Sequence, residues 1–121
     1  MKTNKKSISQ SEKNAEEAKK LAYKFLENAK NDITNTDLFY ISLEKALFNF
    51  LKSRFDLQTT EFSKEKIKLK LSKKNIPDSV IDSLIGILNS CEYARYTPSS
   101  SIEMKVDYDK AVDVISNIEK S

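Results

Sequence analysis

The chain has 121 residues, of which 39% are hydrophobic and 32% charged, enough for one domain that buries a core without disulfides or metals. It has no histidine, one cysteine (Cys91) and one glycine (Gly86). These counts exclude Cys/His zinc sites, Ser/His/Asp and Cys/His nucleophile arrangements, an internal disulfide, and a glycine-rich loop cradling phosphate. The net charge of +3 is unevenly spread: residues 64–74 hold six lysines against Glu65, a local +5, so the remainder carries −2.

The first eleven residues are polar, lysine-rich and aperiodic, and read as a disordered basic lead-in to a single helical domain over 12–121. Apolar runs fall short of the roughly 20 residues needed to cross a bilayer, and no signal-peptide pattern opens the chain. A first helix is expected from Glu12 to Asn31, with Ala15, Ala18, Ala22, Phe25 and Ala29 at three- and four-residue steps. After DITNT, Thr36 or Asp37 is the expected cap of a second helix to Phe55. Phe39, Leu43, Ala46, Leu47 and Phe50 line one face of it, and Ile41, Phe48 and Phe55 a second stripe. A helix apolar on two sides must be covered on both, so it is placed at the centre of the bundle.

Ser63 has the position of an N-cap for a third helix, with Phe62 and Ile67 spaced as a hydrophobic staple. The alternation IKLKL also suits a strand, but the run is short and has no partner strand, so the helix is preferred. Asn75 is the expected left-handed stop, and Pro77 with Asp78 begins a fourth helix to Arg95 whose buried face is Val80, Leu84, Ile87, Cys91 and Ala94. Ser100 and Glu103 are spaced as a capping box for a fifth helix carrying Met104, Tyr108, Ala111, Ile115 and Ile118. The predicted architecture is all-α, a compact bundle of about five helices.

The segment CEYARYTP, Cys91 to Pro98, ends the fourth helix with aromatics, an arginine and a proline. With DSLIGILNS before it, FYISLEKALFNFLKSRFDL from Phe39 to Leu57 and FSKEKIKLKL from Phe62 to Leu71, it resembles the C-terminal domain of BatD-like aerotolerance proteins of Bacteroidetes and related bacteria. The resemblance spans roughly residues 16–118. It implies a helical domain of a membrane-anchored parent in an oxygen- and stress-tolerance system, on the cytoplasmic side. The implied partners are other Bat proteins or the associated MoxR-type AAA+ ATPase. No catalytic residue, cofactor or metal ligand comes with it.

The residues support a binding role more than a catalytic one. Carboxylates pair at i, i+4 as Asp78 with Asp82, Glu103 with Asp107, and Asp109 with Asp113, all on faces expected to be exposed, where general acid work lacks a desolvated carboxyl. Cys91 falls on the apolar face as a packing thiol. Arg95 is assigned as a structural clamp at the helix C-terminus, binding terminal carbonyls or a carboxylate from another helix. Tyr93 shares a polar face with Gly86, and with Tyr96 these form the candidate partner-binding surface, the alternative being that Tyr93 packs on the first helix. Lys66, Lys70 and Lys73 share one sector of the third helix and are the candidate contacts for an anionic surface, nucleic acid or lipid. The lysines are nevertheless read first as a solvated face, and nucleic-acid binding is not expected, because no aromatic interrupts them and the chain holds only two arginines.

Overall fold

The computed structural model describes residues 10–58, 60, 63–97 and 100–120. Among them the chain forms five helices and no strand: α1 (Gln10–Asn31), α2 (Thr36–Phe55), α3 (Lys64–Lys73), α4 (Asp78–Tyr93) and α5 (Ser101–Glu119). Of the lead-in expected over 1–11, the residues before Gln10 lie outside the described residues, as do Phe62 of the expected staple and Pro98, whereas Gln10 and Ser11 already belong to α1.

The α1–α2 hairpin is built on small residues. Ala18, Ala22 and Ala29 are fully buried beside Leu26, so the two backbones approach closely where a larger side chain would hold them apart. Phe25, expected on that stripe, is only partly buried and takes the Lys24 ammonium over its ring at 5.7 Å. The cap of α2 is Asn35 rather than Thr36 or Asp37: Asn35 has extended backbone angles, and its side chain accepts from the Leu38 amide at 3.1 Å. A cap must stand outside the helical region while offering an oxygen to the first turn, and Thr36 is already helical. At the far end Asp56 adopts the left-handed conformation, and the Leu57 amide returns to the Lys52 carbonyl. Leu57 is thereby folded under the helix end and buried.

Helix α2 packs against α1, α4 and α5, which makes it the centre of the bundle. Phe39, Tyr40, Leu43, Ala46, Leu47, Phe50, Leu51 and Phe55 are buried. The second stripe is weaker than its sequence implies, since Phe48 is partly buried and Ile41 remains 49% exposed. Ile41 borders an open groove between α2 and the end of α4, which leaves it uncovered.

The IKLKL run is helical. Ser63 accepts from the Lys66 amide at 3.2 Å, and Ile67 and Leu71 point into the core. Asn75 takes a positive φ of 63°, and Ile76 bonds back to the Leu71 carbonyl before the chain turns into α4. Helix α4 ends at Tyr93, two residues before the expected end, and Ala94 to Tyr96 form a turn held by the Tyr93 carbonyl. Its buried face includes Ile81 and Leu88 beyond those expected, whereas Val80 is only partly buried. The capping box of α5 is complete: Ser100 accepts from the Glu103 amide at 3.1 Å and donates its own amide to the Glu103 carboxylate at 2.8 Å. Met104, Ala111, Val114, Ile115 and Ile118 bury the inner face of α5, and Tyr108 is partly buried.

Candidate functional site

The end of α4 faces the first half of α2 across an open groove of about 440 Å³. Asp37, Tyr40, Ile41 and Glu44 come from α2; Cys91, Ala94 and Arg95 come from α4 and the turn after it. Tyr40 and Cys91 are nearly inaccessible and form the floor, while Ile41 supplies an aliphatic wall. Arg95 crosses the groove, donating from Nη2 to Glu44 Oε1 at 3.3 Å. Beyond that pair a second depression runs on between Phe48 and Leu88 toward the start of α3, where Lys64 binds Glu92 at 3.0 Å. Two exposed ion pairs therefore bridge a partly apolar valley. Such pairs contribute roughly 0–1 kcal/mol each, so either opens at little cost.

Under the groove Tyr40 donates its hydroxyl hydrogen to Asp107 Oδ2 at 2.6 Å, joining α2 to α5. This corrects the expectation that Glu103 and Asp107 form an exposed carboxylate pair. Asp107 is only 9% exposed, and Glu103 is engaged in the capping box. The physical reason is register: Asp107 falls among Met104, Ala111 and Val114 on the inner stripe, and Tyr40 is the donor that makes its burial tolerable. Asp78, Asp82, Asp109 and Asp113 are exposed.

Cys91 is a buried free thiol. Burial pushes its pKa far above the ordinary thiol range, the carboxylates of Glu44 and Asp107 push it further, and Arg95 only partly opposes them. The thiolate that nucleophilic chemistry needs is suppressed. Among the described residues no group of three or more His, Cys, Asp or Glu is placed to hold a metal ion.

The three residues singled out for partner contact do not line the groove, although Tyr93 and Tyr96 flank its Ala94 and Arg95 in the chain. Tyr93 is 64% exposed and Tyr96 83% exposed, so neither packs into the core. Gly86 lies two turns before Tyr93 on the outer side of α4, and a methyl group there would meet nothing within 4 Å. No close approach among the described residues accounts for the glycine. On α3, Lys66 and Lys73 are exposed and Lys70 is partly buried, with Lys66 Nζ donating to the Thr60 carbonyl at 3.1 Å.

Nothing in the sequence marks Tyr40 and Glu44 as groove residues, and Asp37 and Asp107 are legible there only as a candidate cap and as one of an i, i+4 carboxylate pair. Asp107 left a legible signal as a carboxylate inside the apolar stripe of α5. The partnering of Glu44 with Arg95, 51 residues away, left none. Among the described residues no helix is long and apolar enough to cross a membrane. The chain matches no protein-family model, no curated protein and no solved structure.

Proposed function

We propose that this chain is a non-enzymatic protein-interaction domain, the helical part of a BatD-like, membrane-anchored protein acting in oxygen and stress tolerance from the cytoplasmic side. The observation that supports it is the end of α4, where Tyr93 and Tyr96 project into solvent on either side of Ala94 and Arg95, which line the open groove against α2. Tyrosine offers a large rigid face with a polar tip and is enriched among the residues that dominate binding energy. Two such side chains left in water within four residues of each other are a surface suited to a partner. The same segment, CEYARYTP, carries the resemblance to BatD-like proteins, and that resemblance supplies the partner candidates: other Bat proteins or a MoxR-type AAA+ ATPase. A binding role also fits the suppressed thiol of Cys91 and the hydrogen-bonded carboxyl of Asp107.

The test is co-purification from cells of the source organism, comparing the wild type with Tyr93→Ala, Tyr96→Ala and Gly86→Leu. The open space at Gly86 lets leucine add bulk without an internal clash. Reduced recovery of a Bat protein or the ATPase by variants with wild-type helical content supports the reading. Equal recovery of the same partners by all the folded variants refutes it.

A further inference from the structure

The outer face of α3 carries an exposed leucine set among lysines, a combination that neither the groove nor the tyrosines account for. Ile67 and Leu71 turn inward and are fully buried, yet Leu69 is 62% exposed. Its neighbours one turn away are Lys66 and Lys73 on one flank and Glu65 and Ser72 on the other, and Lys70 lies beyond Lys66 and Lys73. The lysines of α3 divide into two sets. Those toward α4 lie beside acids: Lys64 binds Glu92, and Lys68 lines a shallow depression with Asp78 and Asp82 without an ion pair to either. Lys66, Lys70 and Lys73 form no ion pair among the described residues, and Lys74 follows at the helix end. Glu65, the one acid of the helix, sits in its first turn and lines the depression beside the Lys64–Glu92 pair.

We infer that this face of α3 docks on an anionic lipid surface, with Lys66, Lys70 and Lys73 at the headgroups and Leu69 inserted beside them. Charge alone would serve a phosphate backbone or a headgroup equally. The leucine decides between them, because an exposed apolar side chain at the edge of the cationic cluster gains nothing against a sugar–phosphate backbone but gains burial at the boundary between headgroups and acyl chains. The flank also lacks the arginines that read base edges and the aromatic rings on which bases stack. A basic helix near an anionic leaflet gains about fivefold in affinity per lysine, within the screening distance of salt.

The experiment is sedimentation of the full chain with vesicles of phosphatidylcholine alone or mixed equally with phosphatidylglycerol, across a salt series. Binding is expected on the mixed vesicles at low salt, falling steeply as salt rises. Converting Lys66, Lys70 and Lys73 to glutamine together should reduce it about a hundredfold, and Leu69→Ser should weaken it at every salt concentration. Lys105→Gln with Lys110→Gln on α5, which removes charge from a different face, should leave it nearly unchanged. Helical content checked by circular dichroism separates lost binding from lost folding. The inference is overturned if the mixed vesicles bind no better than phosphatidylcholine, or if the α5 changes weaken binding as much as the α3 changes. Salt-sensitive binding to duplex DNA that is indifferent to Leu69→Ser and tighter than binding to vesicles overturns it in favour of nucleic acid.

Discussion

The Tyr40–Asp107 contact makes a sharp quantitative demand on the fold. Tyr40→Phe removes one hydroxyl and leaves the ring, including its edge-to-face contact with Phe39 at 4.9 Å. The lost bond is short, 2.6 Å, and joins two buried side chains, so it belongs with hydrogen bonds to charged groups that contribute roughly 1.5–3 kcal/mol. Asp107 keeps 9% exposure, which lets water reach its carboxylate and places the expected cost in the lower part of that range, about 1.5–2 kcal/mol. A domain of this size loses about 0.25 kcal/mol per degree near its melting point. Tyr40→Phe should therefore lower Tm by about 6–8 °C. Asp107→Leu alone should also destabilise, because the Tyr40 hydroxyl loses its Asp107 acceptor. In the Tyr40→Phe background the same leucine, which matches the branching of aspartate, falls among Met104, Ala111 and Val114 and should be close to neutral or stabilising. Thermal and urea unfolding of the four proteins gives the coupling, expected above about 1 kcal/mol. Strictly additive losses, or a Tyr40→Phe variant that melts with the wild type, would refute the buried bond between α2 and α5.

Phe50 is fully buried on the central helix, so Phe50→Ala should cost about 3–5 kcal/mol through the cavity it leaves; a near-neutral effect in urea melts would place α2 wrongly in the bundle. Gly86→Ala should stabilise by roughly 0.5–1 kcal/mol, since the added methyl meets open space and glycine is a poor helix residue. Destabilisation by that methyl would mean that the backbone around Gly86 differs from the helix described.

Helical periodicity and cap chemistry are local, so the sequence alone determined the all-α class, the five segments and most of the core. Ser63, Asn75 and the Ser100–Glu103 box act within a few residues of themselves, and each sits where its side-chain chemistry required. The IKLKL run was resolved the same way, because the cap just before it outweighed its alternation. Helix ends were less legible: Asn35 rather than Thr36 caps α2, and α4 stops at Tyr93, since a cap is chosen by backbone angles that neighbouring packing adjusts. What only the tertiary structure decided was pairing across distance. The Arg95–Glu44 bridge, the burial of Asp107 under Tyr40, the exposure of Ile41 and the pairing of Lys64 with Glu92 depend on which helix faces lie opposite one another. A helix's own sequence shows which face is apolar; the helix that covers it, and the polar groups brought along its edge, follow from how all five pack at once.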